Sequence, residues 1–292
     1  MSEQYYQKPL VIAYSGGKDS DVLLDLAIKA NINIKVVHSH TTLDAPQTVY
    51  HVRNVFERLN AEGIKTEIIY PTTKGKRTSM WQIIPEKGFP PTRTVRYCCR
   101  ILKETTTPQS FVATGVRADE SRQRMSRNMF EIKGHKKTDI IRHDFAHIKE
   151  VYAEAQIMPD VYDCQYISKV KQNKDAIVNP LINWSDKDIY TYIRQNNIEL
   201  CELYDKGYTR VGCIGCPMAG KRRYKEFRDF PSFKHNYILA FERMLQGSTN
   251  SSWKNGQEVF EWWMEEKNIK GQLAFDFKEN YEKREVNENV AK

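Results

Sequence analysis

The sequence predicts an α/β fold, a doubly wound and mostly parallel sheet, followed by a C-terminal helical extension. Three observations predict it. The apolar run Val11-Ile12-Ala13-Tyr14 is broken by Ser15-Gly16-Gly17, and the residues that follow are apolar at helical spacing (Val22, Leu23, Leu26, Ala27). Two more runs of β-forming residues, Ile32 to Val37 and Thr66 to Tyr70, flank a helical pattern of Val49, Val52, Val55, Phe56 and Leu59. Residues 221–292 carry apolar faces at helical spacing: Tyr224, Phe227 and Phe230, then Tyr237, Ile238, Phe241 and Leu245, then Val259, Phe260, Trp262 and Trp263. Strands alternating with helices at this spacing form βαβ units, and such sheets take ligands at the carboxyl ends of their strands.

The first of those ends holds Ser15-Gly16-Gly17-Lys18-Asp19-Ser20. Glycine permits positive φ and close backbone approach, and the unpaired N–H groups of a helix start attract an anion. Ser15, Lys18 and Ser20 add side-chain donors. A Walker A loop needs four residues between Gly and Gly-Lys-Ser/Thr, so this is a different phosphate loop. The second end, His38-Ser39-His40-Thr41-Thr42, offers His38 and Thr41 as polar residues of a nucleotide pocket; the sequence shows no third metal ligand near the two histidines.

Composition bounds the class of protein. The chain has 292 residues, 40% of them hydrophobic and 28% charged, enough for a sizeable core in a globular fold. No run of about 18 apolar residues exists, and the N-terminus has no apolar signal core, so a cytoplasmic, membrane-free protein is expected. A net charge of +8 points to anionic partners, nucleotide or nucleic acid.

Further along, residues 71–108 are rich in Lys, Arg, Thr and Pro and read as a long irregular region with short helices. Phe111 to Gly115 is a fourth strand whose turn presents Gly115 and Arg117, with Arg124 close behind; an arginine at a strand end suits bidentate contact with phosphate or sulfate. Residues 122–175 are charged and poorly periodic, a basic insertion suited to a large anion. Regular structure returns at Ala176 to Trp184, and Ser185-Asp186-Lys187-Asp188 caps a helix with Ile189, Tyr192 and Ile193 on its apolar face. These signals divide the chain into a nucleotide-binding α/β unit, 1–220, and the helical extension, 221–292.

Of the six cysteines, Cys213-x-x-Cys216 can converge on zinc, serve as a redox dithiol or ligate an iron–sulfur cluster. Cys98-Cys99 is awkward around one tetrahedral ion, and with the second pair it supplies the four thiolates of a [4Fe-4S] cluster. Cys164 and Cys201 read as small buried hydrophobes.

The motifs together resemble the sulfonucleotide (phosphoadenylyl-sulfate and adenylyl-sulfate) reductases of the N-type ATP pyrophosphatase superfamily. They are the Ser15 to Ser20 loop, Cys98-Cys99-Arg100 with Lys103, Gly115-Val116-Arg117-Ala118-Asp119-Glu120-Ser121, Pro180-Leu181-x-x-Trp184, Leu203-Tyr204-Asp205-Lys206-Gly207-Tyr208 and Gly212-Cys213-x-x-Cys216. The resemblance implies an adenine nucleotide alpha-hydrolase-like fold, a nucleotide (ATP, or PAPS or APS) in the loop, and a [4Fe-4S] cluster on Cys98, Cys99, Cys213 and Cys216. The reductases also carry a nucleophilic cysteine in a C-terminal tail, and no cysteine follows Cys216 here. The chain is therefore also similar to the DNA phosphorothioation and tRNA thiolation relatives. Those cleave ATP to AMP and pyrophosphate to activate an acceptor for sulfur. That branch implies Lys18, Asp19 and Arg117 in catalysis, Mg²⁺ on Asp19, a nucleic acid acceptor, and a cysteine desulfurase or another sulfur or electron donor as partner. Two alternatives stand beside it: sulfonucleotide reduction with another thiol, and a non-catalytic nucleotide- or DNA-binding regulator.

Overall fold

A computed structural model of the chain describes residues 8–104, 111–121, 124–125, 127–132, 176–247 and 252–265. The sheet begins with β1 (Leu10–Ala13), α1 (Lys18–Lys29), β2 (Ile34–Ser39), α2 (Pro46–Ala61) and β3 (Lys65–Ile69). A small hairpin, β4 (Thr72–Thr73) with β5 (Lys76–Arg77), and α3 (Met80–Lys87) follow, then a short turn of helix, α4 (Tyr97–Cys99), continued by a π-helical turn at Arg100–Glu104. The chain returns to the sheet with β6 (Phe111–Ala113), β7 (Phe130–Ile132) and β8 (Ala176–Val178). It ends in α5 (Asp186–Gln195), α6 (Arg222–Asp229), α7 (Pro231–Gln246) and α8 (Gly256–Glu265).

The sheet order is β3-β2-β1-β6-β8-β7. All neighbours are parallel except β7, which lies antiparallel on the β8 edge. The chain winds outward from β1 to β3, then crosses to β6 on the other side, so the doubly wound expectation holds and the switch point falls between β1 and β6. There Val11 pairs with Val112 and Ile12 with Ala113, setting the two outgoing loops side by side. β1 is a continuous apolar run because both its faces are covered; Leu10, Val11 and Ile12 are all buried.

The first two helices start as their residues dictate. Gly17 is the N-cap of α1 with Asp19 and Asp21 in the first turn, where carboxylates favour the dipole, and Pro46 opens α2 where no N–H is missed. Ser185 caps α5 and accepts from the Asp188 amide, as its capping box predicts.

Two cores result. One packs β1, β2 and β6 against α1, α2 and α5 through Ile12, Val22, Val36, Phe56 and Ile189. The other gathers Met80, Ile83 and Ile84 of α3, Tyr97, Leu102, Leu203 and Ile214 with Phe227, Tyr237, Phe241 and Trp263 of the last three helices. The C-terminal helices thus pack on the segments that carry the cysteines.

Some details differ from the sequence reading. β2 runs two residues further than its apolar pattern, so His38 and Ser39 belong to the strand. The 71–108 region contains a hairpin built on Lys74 and Gly75 at positive φ. Tyr224, expected on an apolar face, is 56% exposed because it projects from the outer side of α6. Most of the 122–175 insertion, Cys164 and the tail beyond residue 265 lie outside the described residues. Among the described residues no helix is long and apolar enough to cross a membrane.

Candidate nucleotide site and cysteine centre

The Ser15 to Ser20 loop leaves β1 and turns into α1 at Gly16, whose φ is +74°; a Cβ there would lie 2.9 Å from the Val52 side chain. The loop closes on itself. Ser20 Oγ accepts from the Gly17 amide (3.1 Å) and donates to the Gly17 carbonyl (2.7 Å), while the exposed Ser15 hydroxyl donates to Ser20 (3.2 Å). The Lys18 amide donates to the Tyr204 hydroxyl at 2.8 Å. That tyrosine lies 186 residues downstream in the Leu-Tyr-Asp-Lys-Gly-Tyr motif, and its role in shaping the loop had no signal in the loop's own sequence.

A buried polar network supports the loop from behind. Tyr14 donates to Asp21 Oδ1 (2.5 Å), and His51 Nε2 lies 3.1 Å from the same oxygen and 3.0 Å from the Tyr14 hydroxyl. Burial, then the Asp21 charge, pushes the Tyr14 phenol up, so it stays a proton donor.

From the other side of the switch point, Gly115 passes so close to α1 that a Cβ would sit 3.0 Å from the Asp19 carbonyl. This approach lets the Arg117 side chain, 2% exposed, reach under the loop. Its Nε donates to Asp19 Oδ1 (2.6 Å), Nη2 to Asp186 Oδ1 (2.5 Å) and Nη1 to the Trp184 carbonyl (3.2 Å). Lys18 Nζ lies 3.2 Å from both Asp19 Oδ2 and Asp186 Oδ1. Two cations and two carboxylates therefore form one ring at the carboxyl ends of β1 and β6. Lys18 and Arg117 hold Asp186 ionised against what burial it has, keeping its carboxyl below the usual range. Asp186 enters the ring because the Ser185 cap aims the first turn of α5 at it; the sequence marks that residue only as helix-capping.

Arg124 stands beside this ring and pairs with Glu120. Burial, then the like charges of Arg210 and Arg127, push its guanidinium down to about 10. Arg124, Arg127 and Arg210 thus stand together beside Lys18 and Arg117, a cluster of cations to which an anionic ligand is drawn. Arg210, half exposed and 3.8 Å from Glu120, joins the cluster only through the fold.

The cysteines come together from distant segments. Cys98 and Cys99 sit on α4, held by Tyr97, whose hydroxyl donates to the Phe89 carbonyl (2.7 Å). Cys213 bridges to Asp44 of the loop after β2, and the Ile214 amide donates to the Leu43 carbonyl (2.8 Å). Gly215 donates to Glu226 (2.8 Å) and Tyr237 to the Ile214 carbonyl (3.1 Å), which fixes the loop between Cys213 and Cys216 on the helical core. The Cys98 S–H and the Arg96 guanidinium, 3.3 Å from Cys99 Sγ, favour the Cys99 thiolate; the Cys98 thiol is pushed up by that pairing and by burial. Lys103 answers the charges of Cys213, Asp44, Cys99 and Cys216, which hold its ammonium well above the ordinary range although the residue surface is open. Among the described residues no three thiols lie within 4.8 Å of one another. Ligands about 2.3 Å from one tetrahedral zinc would sit closer together than that. Cys201 is 1% exposed in the second core, and burial pushes its thiol up, with Thr48 and the Asp21 charge close by.

At the end of β2 the Thr41 hydroxyl accepts from the Leu43 amide (3.2 Å) and from Cys213 Sγ (3.4 Å). His38 Nδ1 lies 2.9 Å from the Tyr14 carbonyl, and its Nε2 is buried without a partner among the described residues.

A family model described as the phosphoadenosine phosphosulfate reductase domain matches residues 9–219. An uncharacterized protein of Methanocaldococcus jannaschii is 26% identical over 236 residues, 77% of this chain but 40% of that protein, so the chain spans well under half of that relative's length. An adenosine 5'-phosphosulfate reductase of Oceanobacillus iheyensis is 25% identical over 222 residues, 73% of each chain. A crystal structure of phosphoadenylyl-sulfate reductase from Candida auris, in a phosphate complex, aligns with a TM-score of 0.42 and 19% identity over 70% of this chain and 82% of that one.

Proposed function

We propose that this chain, which belongs to the phosphoadenosine phosphosulfate reductase domain family, is an enzyme that binds ATP in the Ser15 to Ser20 loop and activates an acceptor by attack at the α-phosphate, releasing pyrophosphate. The observation that carries the reading is the convergence of Lys18 and Arg117 on one carboxylate pair at the switch point, beside Arg124 and Arg210. In ATP the phosphates replace Asp186 as partner of both cations, and the loop amides and Lys18 stabilise charge developing on the leaving pyrophosphate. Arg117 and Arg124 orient the far phosphates or the acceptor. Asp19 offers the hard oxygen donors that Mg²⁺ takes together with nucleotide phosphates, so the residues present fit that ion.

The cysteine centre suits an iron–sulfur cluster better than a single ion, because among the described residues no three thiols lie within 4.8 Å of one another and Lys103 and Arg96 offset their charge. Cys98, Cys99, Cys213 and Cys216 would hold it. Such a cluster supplies sulfur or electron transfer. A nucleic acid is the acceptor class that suits the net charge of +8, and a cysteine desulfurase or another sulfur or electron donor would act as partner.

A second reading, sulfonucleotide reduction, is favoured by the reductase relatives. It needs a thiol nucleophile, and Cys201, 1% exposed, is closed off from solvent.

Anaerobically purified protein should release pyrophosphate from ATP and Mg²⁺ in the presence of nucleic acid, and Lys18→Ala should sharply lower that release. Sulfite release from adenylyl sulfate with thioredoxin, and no pyrophosphate with any acceptor, would overturn the proposal in favour of the reductase.

A further inference from the structure

Two histidines near the end of β2 lacked a third ligand in the sequence, and the fold supplies one. Thr42, at a φ of +65°, turns the chain back so that the Asp44 carboxylate receives the Thr41 amide (2.8 Å) and comes within 3.4 Å of His40 Nδ1. A ligand atom from each of His38, His40 and Asp44 lies within 4.8 Å of the others.

The tautomer of His38 follows from its surroundings. Nδ1 faces the Tyr14 carbonyl, which can only accept, so Nδ1 carries the proton and Nε2 presents a lone pair. That nitrogen is buried on a side chain 4% exposed, and among the described residues no protein group answers it. An imidazole held by a backbone carbonyl through one nitrogen, with the other free, is arranged as a metal ligand. A histidine serving only as packing would leave this buried acceptor at a cost.

We propose that His38, His40 and Asp44 bind one divalent first-row transition ion, of which zinc is the probe, at a centre separate from the cysteines. Two imidazoles and a carboxylate suit borderline ions; Mg²⁺ and Ca²⁺ prefer all-oxygen sets and Cu(I) prefers sulfur. Three protein ligands leave a coordination position open to water or another oxygen donor. The centre adjoins both other sites: His38 holds the residue just before the phosphate loop, and Asp44 bridges to Cys213. Lys103, within electrostatic reach of Asp44, is the cation that zinc must outcompete.

The test needs no nucleotide, so its failure and failure of the ATP reading are separate events. Chelated full-length protein is dialysed against zinc and studied by X-ray absorption. The expected result is one zinc with only nitrogen and oxygen neighbours at about 2.0–2.2 Å, beyond any sulfur-bound metal. His40→Gln and Asp44→Asn should each weaken that zinc at least about 10-fold while leaving sulfur-bound metal and the circular dichroism spectrum unchanged. His40 is only partly buried, so its variant carries the test if His38→Gln fails to fold. Zinc with sulfur neighbours alone, zinc in a nitrogen and oxygen shell that survives both substitutions, or no zinc bound would each overturn the proposal.

Discussion

The phosphate loop and the cysteine centre are built in opposite ways. The loop is one continuous hexapeptide whose shape comes largely from its own glycines, its serine and the helix it starts, with one distant contact from Tyr204. The cysteine centre draws its thiols from residues 98–99 and 213–216, brought together by a core of aromatic side chains from α6, α7 and α8. The loop belongs to the sheet core and the cysteines to the helical core, with Tyr204 and the Thr41 to Asp44 turn joining them. Chemistry at the loop should therefore respond to single charges, whereas the cysteine centre should respond to packing.

The largest expected effect falls on the loop's charge. Lys18→Ala should lower pyrophosphate release by about 100- to 1,000-fold, measured by steady-state assay, with little change in the unfolding midpoint; an equal loss of stability would erase the distinction. Packing comes next. A Cβ on Gly215 would lie 2.6 Å from Phe227 and 2.9 Å from Tyr237, at a φ of +74°. Gly215→Ala should cost about 3 kcal/mol in urea unfolding and loosen metal bound by the cysteines. A smaller effect joins the two halves: Tyr204→Phe removes the acceptor of the Lys18 amide and should cost about 1 kcal/mol together with weaker nucleotide binding by calorimetry.

Asp186 offers a change of the opposite sign. Its side chain is 62% exposed, so its pairing with Lys18 and Arg117 is worth under about 1 kcal/mol. Asp186→Asn should leave Asp19 as the one charged partner that Lys18 and Arg117 share in the ring and tighten binding of nucleotide about 2- to 5-fold; weaker binding would show that the carboxylate orders the ring instead of competing with phosphate. The smallest effect is a pH slope. Burial raises the Glu226 carboxyl above its ordinary 4.5. As pH rises from 4.5 through the folded value, the unfolded chain ionises first and stability falls. Glu226→Gln, which keeps an acceptor for the Gly215 amide, should flatten that slope in denaturation curves taken across the window.

Taken alone, the sequence determines the local features. A β-rich run broken by Ser-Gly-Gly makes the strand, loop and helix; Ser185 with Asp188 makes a cap; alternation of strands and helices makes a parallel sheet. Each rests on backbone propensity or side-chain period within a few residues, which short stretches encode completely. Tertiary structure decides which distant groups meet. Asp186 joining Lys18 and Arg117, Tyr204 receiving a loop amide, Arg210 adding to the charge beside Arg124, and Asp44 completing a set with His38 and His40 all depend on chain crossings and on a turn at Thr42. Sheet order and core packing set those meetings, because they fix which loops share a sheet end, and no local pattern records them.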